Sequence, residues 1–338
     1  MTRILTHHDM IALLDPDACI EALRDGFIQS DAVAVPGQRI RSDLPFPGTA
    51  TALIPGLLPG IDAYTVKVNA KFPGARPALR GVICLHSGQD GELLALLDSA
   101  TVTAWRTGLA AALGTHVLAP DPGEKTVLGV IGAGAQAELM VLGLRRLRRV
   151  DELVVYDLDP AHAASFATRH QGHSVGSAAE VAAHADIVLL ATWSRAPLLH
   201  LADTRPGQHF TSLGVDEPGK RELAVDVLEA ALLAVDDRPL AAAMGVLAEA
   251  GLPPEAAHAT LGEILRGEHP GRTDPGRRTV YAPVGLPWQD LALAWLAYQE
   301  AERRGLGLEV DLLGSVDLGR QPAMPRSTAA VATPSASG

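Results

Sequence analysis

The stretch Val127-Leu-Gly-Val-Ile-Gly132-Ala-Gly134-Ala-Gln-Ala137 decides the fold class. It has the pattern of an apolar strand that runs into G-x-G-x-x-A and then into a helix. The two glycines allow a tight turn and a close approach to a pyrophosphate, and the helix N-terminus offers free N–H groups to an anion. Ala137 permits close packing of the helix on the strand. Small residues also occur at such turns for packing alone, so the surrounding sequence has to support the dinucleotide interpretation.

The residues after this stretch continue the alternation of strand and helix. Strands are predicted at 126–131, 153–156, 187–191, 209–213 and 231–235, with helices at 135–148 and 160–170. Such alternation predicts right-handed βαβ units in a parallel sheet. The predicted fold class is therefore α/β, with a Rossmann-type doubly wound parallel sheet.

Asp157 ends the second strand of this pattern, about 20 residues past the glycines, where a carboxylate accepts hydrogen bonds from ribose hydroxyls. No Arg or Lys occurs at 158–162, and Asp159 adds a second negative charge. These residues favour NAD(H) over NADP(H). The alternative for Asp157 is a helix N-cap or an ordinary acid at a strand end.

The N-terminal third has a different pattern. Thr6 with Asp9 forms a capping box for a short helix, and Asp15 before a proline opens a second helix that runs to about 30. Short runs broken by Gly and Pro between 37 and 98 predict strands of one sheet. Ser99 is predicted to cap a helix over 100–118, and the Pro/Gly-rich segment at 119–123 predicts a boundary. A further amphipathic helix is predicted at 288–304, ended by Gly305.

The composition excludes several classes of protein. The 338 residues are 47% hydrophobic, with mean hydropathy +0.15, so the chain has enough apolar residues for a core. A net charge of -11 argues against a nucleic-acid partner. No stretch has the length of a membrane span or signal peptide. The two cysteines have neither metal-ligand spacing nor the density of a disulfide scaffold, and the histidines form no metal motif, so we predict a cytoplasmic protein without a metal site.

Two cations stand in mostly apolar elements. Lys67 lies in a predicted strand and Arg106 on the Ala/Leu-rich helix. A cation in such a place either extends to water or pairs with an anion. Each residue alone is best interpreted as an exposed charge, but together with Arg39 and Arg41 they are able to form a carboxylate clamp.

The chain resembles the ornithine cyclodeaminase/μ-crystallin family over roughly residues 5–315. The resemblance depends on motifs that occur in the family's order, namely Lys67-Val-Asn-Ala-Lys-Phe-Pro73, Leu94-Ala-Leu-Leu-Asp98, Val102-Thr-Ala-Trp-Arg-Thr-Gly108, Gly129-Val-Ile-Gly-Ala-Gly-Ala-Gln-Ala137, Leu213-Gly-Val-Asp216-Glu-Pro-Gly-Lys-Arg-Glu-Leu223 and Gly285-x-x-x-Gln-Asp290. The motifs Gly-Ala-Gly-Ala-Gln-Ala and Asp-x-Pro-Gly-Lys-x-Glu-Leu in one chain make the resemblance specific.

The resemblance implies a Rossmann domain inserted in an α+β substrate-binding and dimerisation domain. The implied division is residues 1–119 plus 300–320 for the substrate-binding and dimerisation domain, 120–299 for the NAD-binding domain, and 321–338 for a disordered tail. It also implies a homodimer that exchanges hydride between NAD(H) and the α-carbon of a small amino or imino acid. The expected activity is that of an amino-acid dehydrogenase or a ketimine reductase.

The resemblance also implies site residues. Lys67 and Arg106 bind the substrate carboxylate, and Arg41 joins them, although Arg39 is a competing alignment. Asp216 handles water or a proton beside the reacting carbon and, with Lys67, makes up the expected catalytic pair. The expected cofactor-binding residues are Thr107, Gly132, Gly134, Ala135, Gln136, Asp157, Thr192 and Gly285.

Two alternatives remain open. An ornithine cyclodeaminase would release proline and ammonia, but Ala52 stands where ornithine-converting members of the family carry an acid. A binding protein of the μ-crystallin kind would hold cofactor and ligand without turnover. Members of that kind carry a hydroxyl residue where this chain has Asp216, which favours the enzyme.

Overall fold

A computed structural model describes residues 1–30, 40–43, 50–72, 75, 79–121, 123, 125–215 and 218–314, with only the backbone given at 40–43, 50 and 51. The predicted disordered tail, 321–338, lies outside the described residues. The strands in chain order are β1 Thr2–Leu5, β2 Ile40–Asp43, β3 Ala50–Gly56, β4 Ala63–Lys71, β5 Leu79–Ser87, β6 Leu93–Asp98, β7 Val127–Ile131, β8 Glu152–Tyr156, β9 His173–Ser174, β10 Ile187–Leu190, β11 His209–Ser212, β12 Ala231–Val235, β13 Ala259–Thr260, β14 Arg278–Tyr281 and β15 Leu308–Val310.

The helices in chain order are α1 His7–Leu13, α2 Pro16–Gln29, α3 Ser99–Leu118, α4 Ala135–Leu147, α5 Pro160–His170, α6 Ala178–His184, α7 Val225–Glu229, α8 Arg238–Met244, α9 Val246–Ala250, α10 Leu261–Leu265 and α11 Pro287–Arg304. Short 3₁₀ turns lie at Leu201–Asp203 and Pro254–Ala256. Among the helices of the described ranges, none is long and apolar enough to cross a membrane.

The first sheet has the order β15-β1-β6-β5-β4-β3-β2 and is antiparallel except where β1 pairs with β6. Its strands alternate between buried and less buried positions, because α3 and α11 cover one face, and α2 packs on these two helices. Lys67 falls on a buried position of β4. The predicted cation-bearing strand therefore directs its lysine under the helices.

Helix α11 packs on the first sheet. Trp288 in its first turn meets Phe27 of α2 edge to face, with ring centroids 5.0 Å apart. Gly26 leaves room for that indole, since a Cβ there would lie 2.2 Å from it. The predicted boundary between residues 299 and 300 lies inside this continuous helix. The division of the chain into two domains remains a prediction.

The second sheet has the order β13-β12-β14-β11-β10-β7-β8-β9, and all its paired strands are parallel. Strands β10, β11 and β12 are buried at every position, as expected for a sheet covered on both faces. The chain crosses from β7 outward in both directions, which confirms the predicted doubly wound fold.

Helices α3 and α4 connect the two sheets by close packing. A Cβ at Gly108 of α3 would lie 2.4 Å from Leu139, and one at Gly143 of α4 would lie 2.8 Å from Ala112. These glycines allow the helices to approach closely. The middle of α4 is thereby packed directly on the middle of α3.

Most predicted elements are confirmed within one or two residues, including the Thr6–Asp9 capping box and the end of α11 at Gly305. The predicted cap of α3 is wrong. Asp98 caps this helix by accepting from the Thr101 N–H, whereas the Ser99 hydroxyl donates to Asn69. Strands β1 and β14 and the short helices α6 to α10 were not predicted, because four to seven residues carry too little periodicity to be distinguished from loops.

Candidate active site

The glycine-rich turn has the geometry of an anion site. Gly132 has φ +93°, and a Cβ there would lie 2.7 Å from the Ala191 carbonyl oxygen, so the backbone requires glycine. At Gly134, by contrast, a Cβ would meet no described atom within 4 Å. Gly134 gives α4 no side-chain cap. The uncapped helix N-terminus therefore opens onto free space, as a pyrophosphate site requires.

The first turn of α4 adds a second sign of a ligand site. Ala135 is exposed, and the buried Gln136 Oε1 has no hydrogen-bond partner in the part of the chain that the structure describes. Thr107 lies half-buried on α3, beside the glycine that packs on α4. An orphaned buried oxygen is costly unless a ligand or water donates to it. These residues fit a bound dinucleotide.

Asp157 holds the glycine-rich turn to the neighbouring strand. Its Oδ2 accepts from the Ala133 N–H at 2.7 Å, and its Oδ1 accepts from the Asp159 N–H at 2.9 Å. Asp159, not Asp157, caps α5. The N-cap alternative for Asp157 is therefore wrong, and its carboxylate stands at the edge of the predicted cofactor site.

The two predicted clamp cations share one carboxylate. Lys67 Nζ lies 2.5 Å from Asp290 Oδ2, and Arg106 Nε lies 3.3 Å from Asp290 Oδ1. All three side chains are buried. Of the two alternatives for these cations, extension to water or pairing with an anion, the structure shows pairing, and the anion comes from the first turn of α11. Their binding of the substrate carboxylate remains a prediction.

Two polar neighbours complete this cluster. Arg106 Nη1 donates to Gln289 Oε1 at 3.2 Å, and Lys67 Nζ donates to Thr103 Oγ1 at 3.5 Å. Neither Gln289 nor Asp290 was predicted as a site residue. The signal that would have found them is a Gln-Asp pair on the apolar side of an amphipathic helix, where a charge needs a partner.

Three predicted residues are not tested by the structure. Arg41 lies in β2, where its backbone pairs with Ala52, and Ala52 in turn pairs with Asn69. The side chain of Arg41 lies outside the description, as do Arg39 and Asp216 entirely. The third clamp cation and the catalytic acid remain predictions.

Gly285 joins the cofactor residues to the clamp. It has φ +99°, and a Cβ there would lie 2.1 Å from Arg106 Nη1, so the guanidinium occupies the space of the missing side chain. Buried Asp236, at the end of β12, accepts from the Gly285 N–H at 2.6 Å and fixes this turn. Burial raises the pKa of Asp236, and its backbone hydrogen bonds oppose that shift. Sequence reasoning missed this role of Asp236, because no local pattern relates it to Gly285.

Thr192 is held by another buried acid that was not predicted, Glu222. Glu222 Oε1 accepts from the Thr192 N–H and hydroxyl at 2.7 and 2.8 Å. Its Oε2 accepts from the Ser212 hydroxyl at 2.8 Å and the Gly214 N–H at 2.9 Å. Burial raises the pKa of Glu222, and these four hydrogen bonds oppose that shift. Glu222 thus ties together the carboxyl ends of β10 and β11.

Trp193, which follows β10 in the second sheet, contacts a lysine of the first sheet. Its ring centroid lies 4.4 Å from the ammonium nitrogen of Lys71 on β4 and 4.4 Å from that of Lys220 after β11. Cation–π contacts of this kind are attractive. Sequence reasoning missed this contact, since nothing local relates Trp193 to Lys71.

The candidate residues meet at the carboxyl ends of the parallel strands, where open α/β sheets bind ligands. Gly132 follows β7, Thr192 follows β10, and Gly285 follows β14. The arrangement combines an open helix N-terminus with a buried cation pair, which suits a dinucleotide beside a small carboxylate. No group of three or more metal-binding side chains occurs within the described ranges.

Comparison with known proteins gives consistent matches. The model of the ornithine cyclodeaminase/mu-crystallin family matches residues 2–305. The alanine dehydrogenase of Archaeoglobus fulgidus is 29% identical over 320 residues, covering 91% of this chain and 98% of that protein.

Two solved structures share the fold. An archaeal alanine dehydrogenase dimer with bound NAD is 28% identical, with a TM-score of 0.84, covering 92% of this chain and 99% of that one. The Δ1-pyrroline-2-carboxylate reductase of Thermococcus litoralis, in complex with NADH and L-proline, is 26% identical, with a TM-score of 0.85, covering 91% of this chain and 100% of that one.

Proposed function

The chain belongs to the ornithine cyclodeaminase/mu-crystallin family, and from that premise we propose that it is an NAD(H)-dependent oxidoreductase acting on the C–N bond of a small α-amino or α-imino acid. The observation that carries the proposal is the contact of Arg106 with Gly285, which brings the buried cation pair against the turn that follows β14. A cofactor at that turn and a carboxylate at the cations are then neighbours.

The cofactor proposal has independent support in the turn after β7. The uncapped N-terminus of α4, the open space at Gly134 and the unpaired Gln136 Oε1 fit a pyrophosphate. Asp157 presents a carboxylate, and exposed Leu158 follows it in place of a cation that would bind a 2′-phosphate. NAD(H) bound there supplies or accepts a hydride. The relatives whose structures contain NAD or NADH support the same choice.

The substrate proposal follows from the cluster on β4 and α3. Lys67 and Arg106 hold the substrate carboxylate, so the α-carbon is fixed in position and much of the catalysis is orientation. Burial strengthens these charge-assisted hydrogen bonds by excluding water. Arg41 is assigned as a third cation and Asp216 as the acid that moves a proton to or from the amine nitrogen or a water molecule.

The proposed assembly is a homodimer whose substrate-binding half consists of the first sheet with α2, α3 and α11. Exposed apolar side chains on this half support it, since Leu53 and Val68 are register partners on β3 and β4 and are 43% and 40% exposed. The archaeal alanine dehydrogenase is a dimer. We also propose a cytoplasmic location, which the two free cysteines support. The partner is a small substrate and not a nucleic acid, in line with a net charge of -11.

The test is NADH consumption by the purified protein with cyclic ketimines and with 2-oxo acids plus ammonia or methylamine. Consumption with any member supports imine reduction. Bound NADH without consumption on the whole panel contradicts it and favours a cyclodeaminase or a non-catalytic binding protein. Release of proline and ammonia from ornithine separates those two.

A further inference from the structure

Asp290 is buried at the centre of the cluster yet incompletely bonded. The residue is 1% exposed, and its Oδ1 atom has no hydrogen-bond partner within the described part of the chain. Arg106 Nε, 3.3 Å away, is likewise buried without an aligned hydrogen bond. Two buried polar atoms with unused capacity face each other, which is costly unless the arrangement changes when a ligand binds.

The contacts of Asp290 reach both cations from one side. Oδ2 forms an ion pair with Lys67, and Oδ1 forms one with Arg106. The adjacent Gln289 accepts a hydrogen bond from Arg106 Nη1. Two nitrogens of the guanidinium are thus engaged by the first turn of α11. Among described residues, Arg106 Nη2 has no hydrogen-bond partner, so a donor face remains for an incoming carboxylate.

The charges of the cluster also matter. Two buried cations without a counter-ion repel each other. Asp290 lies against both cations with one negative charge and so reduces this repulsion.

We propose that Asp290 is a positioning residue of the substrate site, which aligns Lys67 and Arg106 and offsets their mutual repulsion, so that both cations are available to a single substrate carboxylate. This inference rests on the proposed function and adds to it the residue that prepares the site. Asp290 acts through the two cations and does not touch the reacting atoms.

The first test is steady-state kinetics of Asp290→Asn with NADH and the imine that wild type reduces fastest. Misaligned cations weaken binding of the carboxylate equally in the ground state and in the transition state. We therefore expect KM to rise at least about tenfold and kcat to fall less than about threefold. Asp17→Asn is the matched control, since Asp17 also lies in the first turn of a helix but pairs with Arg146 on the surface. Its KM is expected to stay within about twofold of wild type.

The second test keeps the inference measurable if Asp290→Asn folds poorly. In Lys67→Met, Asp290 opposes the substrate carboxylate with part of its charge uncompensated. Lys67→Met/Asp290→Asn removes that repulsion and the buried unpaired charge, so the double variant is expected to fold. Its KM is expected to equal or fall below that of Lys67→Met. A further tenfold rise would show that the two residues act independently and would overturn the inference.

Failure of the proposed function is recognised separately. If wild type consumes no NADH on the panel, the same variants are compared by the dissociation constant of pyruvate with NADH present, measured from the rise in unfolding temperature. We expect Asp290→Asn to bind pyruvate more weakly than wild type, and Asp17→Asn to bind it about as tightly as wild type. An unchanged pyruvate affinity in Asp290→Asn overturns the inference whether or not wild type is active.

Discussion

Two buried carboxylates, Glu222 and Asp290, are each 1% exposed but have opposite surroundings. Glu222 accepts four hydrogen bonds from neutral donors, two of them backbone N–H groups, so both of its oxygens are satisfied. Asp290 meets two cations and keeps one oxygen without a hydrogen bond. A fully bonded network fixes a structure, whereas an incompletely bonded charged cluster is prepared for a ligand.

The origin of the partners differs as well. Glu222 binds residues at the ends of the adjacent strands β10 and β11, so it stabilises one edge of one sheet. Asp290 joins α11 to β4 and α3. We therefore expect substitutions near Glu222 to change mainly stability, and those near Asp290 to change mainly substrate binding.

The largest expected effect is that of Lys67→Met on catalysis. The change removes a buried charged donor to the substrate carboxylate, and losing one partner of such a buried charge pair costs about 2–5 kcal/mol of binding free energy. We expect kcat/KM for the imine to fall at least about 10²-fold. Near-wild-type kcat/KM in a variant with unchanged circular dichroism would contradict the assignment of this cluster as the substrate site.

Asp157→Asn tests a carboxylate that combines both behaviours, since Asp157 binds two backbone N–H groups and stands beside the cofactor turn. Loss of a charged hydrogen bond costs about 1.5–3 kcal/mol. The dissociation constant of NADH, measured by fluorescence titration, is expected to rise about tenfold or more, with KM for the imine little changed at saturating NADH. Unchanged NADH affinity would show that Asp157 serves only to hold the turn.

Glu222→Gln tests the fully bonded side of the comparison. Each oxygen of Glu222 accepts from one backbone N–H, so either orientation of the amide directs its NH₂ group at another donor. We expect the free energy of unfolding to fall by about 1–3 kcal/mol, measured by urea denaturation. A variant as stable as wild type would mean that the network tolerates a lost acceptor.

The smallest effect is a pH dependence at His209, which lies in a second neutral network. Its Nδ1 lies 2.8 Å from Thr279 Oγ1 and its Nε2 lies 2.9 Å from Thr211 Oγ1. Burial, with a further contribution from Arg272, holds the pKa of His209 well below its usual value. Below pH 6.5 the unfolded chain therefore binds a proton that the folded protein does not, so stability falls as pH falls.

We expect this histidine to cost about 1 kcal/mol of stability between pH 6.5 and 5.5. Urea denaturation of wild type and His209→Gln at both values measures it, since the variant lacks the titrating group. Equal losses in the two proteins would show that His209 is protonated in the folded state.

The local features of this protein follow from its sequence. The G-x-G-x-x-A turn at Gly132, the capping box at Thr6 and the end of α11 at Gly305 depend on residues within one or two helical turns, where backbone geometry restricts the choice of side chain. The sequence also singled out Lys67 and Arg106, because a cation in an apolar element needs an anion.

The identity of that anion, Asp290, and the packing of α11 on the first sheet became known from the folded structure. The same structure also placed Trp193 between Lys71 and Lys220, and it showed that Glu222 and Asp236 hold the turns at Thr192 and Gly285. These contacts join residues that are far apart in the chain. Electrostatic pairing depends on distances of a few ångströms, which are set by how the helices cross the sheets and leave no periodic trace in the sequence.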